Sequence, residues 1–473
     1  MSAREKRLGR LFAAARQAFD SGRPSEAMDL CARVLRDAPD HVGSLKLGAV
    51  AAFQSGDRQR ALSLAGLSVE RYPDDPEARF NLGVIHQAMG LLEEALGDFR
   101  AVATLTPGNA AAHYNLATAL HELGRAEDAV SAYRDAIQAD PGFAPAHAGL
   151  AFVLRSAGRL QEALCAYEAA IERAPQDPQT LAGYGITLQH CGRLSDAAAA
   201  LQRASTIDPD YPDACTNLAD VLVQQGDAIA AVAVCDGYLE RNPGDSGALA
   251  AKAIALNEAG ETAAFAELVD LDRFLAPQSP APPMGFADIA AFNDALAERM
   301  LSHPTLVDAP ASHATRNGKH TGELLGDETP EIAAFQAMVD EAVGRYREAL
   351  GADRQHPFVV NAPRAWRLTA WSIVLQGAGG YQAPHIHPSA WLSGVYYVRV
   401  PDAANNPDSR QAGWIEFGLP SEEFHWTRTP PVRALRPEPG LLVLFPSYVF
   451  HRTIPYDTKE TRISIAFDVL PAR

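Results

Sequence analysis

Two residue types keep one period through the first half of the chain. Proline stands at Pro39, Pro73, Pro107, Pro141, Pro175, Pro209, Pro243 and Pro277, and glycine at Gly22, Gly56, Gly90, Gly124, Gly158, Gly192, Gly226 and Gly260. Both series step by 34 residues. Self-similarity of that length means a stack of supersecondary units, each burying its apolar face against its neighbours, not one closed core. Residues 76–109 show what a unit contains. Leu82 and the small Gly83 mark a first helix that its neighbour can approach closely. Gly90 supplies a turn, because glycine takes positive φ at little cost. Ala95, Phe99 and Val102 recur at helical spacing and share one face of a second helix. Pro107 closes the unit, having no N–H for a continuing helix. The next unit repeats the pattern with Leu116, Ala117, Gly124, Ala129, Tyr133, Ala136 and Pro141.

This period and pattern resemble the tetratricopeptide repeat over roughly residues 8–277, and the resemblance implies an all-α superhelix with a concave face suited to peptides or protein partners. Asn81, Asn115 and Asn217 share one position on the first helix of their units, where Leu47, Gly149 and Gly183 stand in others. The three resemble the asparagine ladder of the O-linked N-acetylglucosamine transferase repeats, whose amides clamp a peptide backbone by donating and accepting. Bonds within their own helices, or to water, are the alternative. The last unit is degenerate, with Phe265 where a small alanine is expected, which fits a terminal or docking repeat.

The period stops at APQSPAPPM, residues 276–284, whose four prolines end a helix and stiffen the chain. The expected organisation is an array over 1–277, a linker over 278–284 and a second domain over 285–473. That second domain opens with an amphipathic helix over 286–301 and another from a Thr329 N-cap to about Leu350. Short β-branched and aromatic runs follow at 366–376, 391–400, 413–417, 441–445 and 461–470, separated by Gly and Pro clusters. No helix-length segment lies between them, so they read as antiparallel.

The chemistry-bearing residues lie among these strands. His385 and His387 are two apart, so an extended backbone points both imidazoles to one face, where they can share a metal. His451 follows a buried-looking strand and a proline turn, and Arg462 and Ser464 share a strand face eleven residues later, counting from His451 to Arg462. A guanidinium fork beside a hydroxyl suits a buried carboxylate. In order, these motifs resemble the double-stranded β-helix (jelly-roll) oxygenases that use Fe(II), 2-oxoglutarate and O2. HxHPxxxLSGVYYV, GxLVLFPSxxxH and RxSIAF look more specifically like a bacterial group of such oxygenases, several with repeats in front. The resemblance implies that His385 and His451 are metal ligands, that Arg462 and Ser464 hold the far carboxylate of 2-oxoglutarate, and that substrate is hydroxylated as 2-oxoglutarate becomes succinate. The sequence departs from that pattern at one place. Where the family carries a carboxylate ligand, this chain has His387. A third imidazole ligand, a substitute carboxylate such as Glu416 or Asp468, and a two-histidine centre all stay open. Trp371, Ser393, Tyr396 and Tyr397 are candidate pocket walls or ordinary barrel packing. His303, His313, His320, His356 and His425 carry no spacing signal.

Composition narrows the rest. With 41 Lys and Arg against 58 Asp and Glu, the net charge of −17 lacks the footprint of a nucleic-acid or acidic-membrane binder. No apolar run of about 18 residues is present, and the basic amphipathic start lacks a signal-peptide core. The five cysteines, Cys31, Cys165, Cys191, Cys215 and Cys235, form no CxxC pair and read as reduced packing residues of a cytoplasmic protein. All fall in the array, so any metal in the second domain falls to histidine. The expected activity is a dioxygenase acting on a peptide or protein held by the repeats. A cupin-type metalloenzyme is the second possibility, since Gly440, Pro446 and His451 match the spacing of the second cupin motif. It would leave Arg462 and Ser464 without a role, and Trp391 and Leu392 stand where the first cupin motif needs a glutamate. A non-catalytic scaffold is the third. Oligomeric state is left open by the sequence.

Overall fold

The computed structural model of the chain describes residues 3–310, 313–351, 355–376, 379–405, 411–456 and 460–472. They form two compact units, 1–193 and 194–473, and tetratricopeptide-type helix pairs run through the first and into the second. No helix among the described residues is long and apolar enough to cross a membrane.

The first unit alternates short helices from Ala3–Asp20 to Pro178–His190. Every glycine of the 34-residue series has positive φ, Gly90 at 75° for example, so the expected turn residue sits where only glycine is at ease. Phe99 and Ala95 are fully buried, and a Cβ on Gly83 would lie 2.8 Å from the Phe99 ring. The small residue is therefore required by that ring. The asparagine series is interrupted for a similar reason. At Gly149 the Tyr133 ring, and at Gly183 the Tyr167 hydroxyl, occupy the space a side chain would need, 2.5 Å from a built Cβ in both cases.

The second unit begins with the final repeats, Leu194–Ile207 to Thr262–Leu268, and continues into an antiparallel sheet region. Its strands are β1 Ala276–Gln278, β2 Val307–Asp308, β3 Thr315–Arg316, β4 Gly318–His320, β5 Trp366–Leu375, β6 Tyr381–Gln382, β7 Leu392–Arg399, β8 Ile415–Phe417, β9 Arg433–Leu435, β10 Leu442–Pro446, β11 His451–Thr453 and β12 Arg462–Pro471. The large sheet runs β1-β10-β7-β12-β5-β4-β2, and a small one runs β11-β8-β9. Part of the proline-rich stretch is thus a sheet edge. Pro277 is accommodated in β1 because an edge strand needs only one row of its hydrogen-bonding groups. The helix Ile289–Leu301 starts three residues later than the hydrophobic pattern suggests, capped by Asp288, whose carboxylate accepts from Ala291 N. The helix Pro330–Ala349 does start after Thr329, but the threonine hydroxyl makes no capping bond.

Alternation along β12 divides the large sheet into two faces. Ile463, Ile465, Phe467 and Val469 turn toward the two helices, with Phe335 and Phe467 ring centroids 6.2 Å apart. Arg462, Ser464, Ala466 and Asp468 turn the other way, toward the small sheet, where Tyr456 packs with Ile373, Leu375 and Ala466. The glycine of LSGVYYV belongs to this layering. A Cβ on Gly394 would stand 2.2 Å from the Phe467 ring. Gly394→Ala is expected to destabilise the second unit by about 1–3 kcal/mol through overpacking, read as a lower thermal midpoint. An unchanged midpoint would mean that Phe467 can move aside.

The final repeats and the sheet region share one apolar core. Phe265, Leu268, Phe274 and Leu275 lie in the same buried cluster as Tyr448, Phe450 and the β7 and β10 side chains. Buried hydroxyls stitch the two together: Tyr448 Oη donates to Leu268 O at 2.6 Å, Tyr346 Oη to Phe274 O at 2.8 Å, and Ser246 Oγ to Ala390 O at 2.8 Å. Of the two readings of the degenerate repeat, terminal or docking, Phe265 packs within this unit as a docking residue does. The loop between β8 and β9 is also held from the repeat helices. Glu258 accepts from Thr427 N at 2.8 Å, Thr427 Oγ1 at 2.7 Å and Arg428 N at 2.7 Å, and Asp220 accepts from His425 N at 2.6 Å.

Candidate metal centre

Backbone pairing brings the three histidines together. His385 and His451 form an antiparallel bridge, exchanging N–H···O bonds of 3.1 and 3.0 Å. His387 N donates to Ser447 O at 3.0 Å, in the turn that follows Pro446 and leads to His451. One ligand-type nitrogen from each ring lies within 4.8 Å of the others. The ring centroids are 4.2 Å apart for His385 and His451, 5.2 Å for His385 and His387, and 5.1 Å for His387 and His451. No other group of three or more such side chains clusters this way among the described residues.

All three rings are anchored through Nδ1. The His385 ring bonds Ala383 O at 2.8 Å and the His451 ring bonds Val449 O at 3.2 Å, each two residues back in the chain. The His387 ring bonds Asp468 Oδ1 at 2.6 Å. With Nδ1 assigned as the N–H in each ring, Nε2 is left as the lone-pair nitrogen. His387 Nε2 is buried without a partner. Burial, with the neighbouring His387 adding to it, pushes His385 down to about 3, and burial holds His451 well below the usual imidazole range. Both are therefore neutral at physiological pH, the form that binds metals. Phe445 packs against His451 at 4.5 Å between centroids, and Trp371 stacks on His387 at 5.7 Å.

The two proposed substitute carboxylates are engaged elsewhere. Glu416 is paired across the β8–β11 register with Arg452, Nε to Oε2 at 2.6 Å. Asp468 accepts from His387 and from Ser393 Oγ at 2.7 Å. Arg462 is almost fully buried on the same sheet face. Its Nη1 donates to Gly413 O at 2.6 Å, and its Cζ lies 5.1 Å over the Tyr397 ring. Arg462 Nε and the hydroxyls of Tyr397 and Tyr456 are buried without partners, and no carboxylate pairs with this guanidinium among the described residues. Ser464 is buried on β12 beside Tyr397 and Ile373 in the strand register. A site with stacked imidazole lone pairs at one place and an unneutralised guanidinium at another fits a metal and an anionic chelator.

Four candidate wall residues divide by facing. Trp371, Ser393 and Tyr397 lie on the site face. Tyr396 points the other way, its hydroxyl donating to Asn293 Oδ1 at 2.7 Å under the helix, so it is packing and not pocket wall. Tyr456 and the Gly413 carbonyl were not singled out by the sequence, because both lie in irregular segments without motif spacing. Of the asparagines, Asn81 borders a surface groove in the first unit with Phe12, Phe19, Lys46 and Leu47. Asn217 instead donates to Asp213 O of its own helix at 2.7 Å.

Comparison with known proteins gives two kinds of match. Residues 369–468 match the family described as "Putative 2OG-Fe(II) oxygenase". Residues 46–110, 85–144, 120–182 and 188–255 match tetratricopeptide repeat families. No curated protein matches the chain. Among solved structures, a tetratricopeptide repeat protein from Parabacteroides merdae aligns at 16% identity over 49% of this chain and 92% of its own, with a TM-score of 0.42. YrrB, titled a TPR protein with an unusual peptide-binding site, aligns at 20% identity over 39% of this chain and 95% of its own, with a TM-score of 0.34. MamA from Desulfovibrio magneticus RS-1 aligns at 21% identity over 37% and 97%, with a TM-score of 0.35. The chain thus carries tetratricopeptide repeats and, after them, a region similar to the 2OG-Fe(II) oxygenases.

Proposed function

We propose that residues 285–473 form a double-stranded β-helix dioxygenase that uses Fe(II) and 2-oxoglutarate to hydroxylate a peptide or protein recruited by the repeats. The observation that carries this reading is the convergence of His385, His387 and His451, each bonded through Nδ1, beside a sheet face that also buries Arg462 with no carboxylate partner among the described residues. Bound Fe(II), with 2-oxoglutarate and O2, supplies the oxidising chemistry: one oxygen atom enters a substrate C–H bond, the other enters succinate, and CO2 leaves. The protein's share is positional. The three imidazoles hold the metal and leave coordination positions open. Arg462 and Ser464 take the far carboxylate of 2-oxoglutarate, and the Tyr397 ring, 5.1 Å from the guanidinium carbon, helps hold the cation in place. Phe445 and Trp371 exclude water around His451 and His387. On the recruitment side, the groove beside Asn81 and Lys46 supports capture of an extended peptide.

Anaerobic addition of Fe(II) and 2-oxoglutarate should give the visible metal-to-ligand charge-transfer band, and O2 should then release succinate. His385→Ala and Arg462→Ala should each abolish the band. Metal binding indifferent to 2-oxoglutarate would favour a cupin-type enzyme instead, and absence of any specific metal binding would leave a scaffold.

A further inference from the structure

Three neutral imidazoles bring no negative charge to a buried dication, and the cost of burying that charge has to be met nearby. The structure treats the three rings unequally in this respect. His385 and His451 lean on peptide carbonyls, whereas His387 leans on a carboxylate at 2.6 Å. That carboxylate is itself fixed. Ser393 Oγ donates to the same oxygen at 2.7 Å and lies 2.8 Å from Ser447 Oγ, with both serines fully buried. The Ser447 carbonyl in turn accepts from His387 N, so the same short circuit of residues holds the backbone and the ring of His387. Glu416 cannot do this work, because Arg452 already neutralises it.

We infer that Asp468 is the positioning residue that turns His387 into an anion-backed ligand, so that the His387–Asp468 pair carries the negative charge of the centre one imidazole away from the metal. The inference rests on the metal-centre reading above and deepens it. A carboxylate accepting from the far nitrogen of a ligating imidazole fixes the tautomer and raises the basicity of the other nitrogen. Moving the charge outward in this way also leaves the inner coordination sphere wholly nitrogen from protein.

The test uses full-length protein and Co(II), whose d–d spectrum reports coordination without turnover. Asp468→Asn should weaken Co(II) binding by about 10–100-fold and shift the d–d bands. His387→Asp should bind Co(II), and in that background Asp468→Asn should have little further effect, since the charge then sits on the metal. Equal losses from Asp468→Asn in both backgrounds would mean a merely structural aspartate and would overturn the inference, as would an unaltered affinity and spectrum in the single variant. A measurement on unaltered protein guards against a variant that fails to fold. In the Zn(II)-loaded chain, one histidine Nδ1–H resonance should be far more deshielded than the other two and should vanish in His387→Asp; three similar resonances would overturn the inference. Failure of the wild-type chain to bind Co(II) at all would instead remove the metal-centre reading itself.

Discussion

Arg462→Met is expected to raise the 2-oxoglutarate concentration for half-maximal succinate formation by about 100-fold or more, while making the protein without cosubstrate more resistant to heat. Both effects have one cause. The guanidinium is buried with a single carbonyl acceptor, Gly413 O, and no counter-ion among the described residues. A buried cation in that state costs stability, and replacing it by an apolar side chain of similar length removes the cost. In the proposed function the same cation repays the cost when the carboxylate of 2-oxoglutarate arrives, and losing one partner of such a buried pair costs about 3–5 kcal/mol. Arg462→Lys should fall between, since a lysine keeps charge but loses the fork that matches a carboxylate. Titration of 2-oxoglutarate against succinate release, beside thermal unfolding with and without 2-oxoglutarate, reads both effects. A variant with unchanged half-saturation would mean that the carboxylate is held elsewhere.

The second large effect concerns where the sheet region can be separated from what precedes it. A chain starting at residue 285 is expected to be insoluble or unfolded, whereas one starting at 194 should fold and keep the three-histidine cluster together. The shorter piece loses Phe265, Leu268, Phe274 and Leu275 from its core, and β1 from the edge of β10. Burial of each large apolar side chain is worth about 1.5–3 kcal/mol, so four of them approach the whole 5–15 kcal/mol of a typical domain. It also strands the hydroxyls of Tyr448 and Tyr346, which bond Leu268 O and Phe274 O. Circular dichroism and Co(II) binding on the two fragments decide the matter. A folded, metal-binding 285–473 fragment would show that the shared core is dispensable.

Much of this molecule is written in periodicities. The 34-residue series located the repeat turns, and the five β-rich runs located β5, β7, β8, β10 and β12 within a few residues. The histidine spacing located three rings that do converge. What stayed hidden depends on register and on contacts without period. Whether Tyr396 or Tyr397 faces the site turns on which side of β7 the helices cover. The role of Asp468 depends on its lying opposite Ser393 and within reach of His387, which follows from β12–β7 pairing and not from residue type. The short strands β2, β3, β4, β6 and β9 have two or three residues each, too few for any alternation to register. The grip of Glu258 and Asp220 on the loop at 425–428 is made by single polar side chains and has no period; Glu122 stands at the repeat position of Glu258, so residue type alone does not mark it.

That grip bears on how such a chain can change over generations. Repeat arrays lengthen and shorten when whole 34-residue units are duplicated or lost, because each unit touches only its neighbours. Repeats that touch only other repeats are free to be copied or deleted in this way. Those bearing Asp220 and Glu258 are not, since deleting either unit would release the loop and uncover the sheet region. Loss or duplication of those last units would therefore break the sheet region with them, so the two are inherited as one piece.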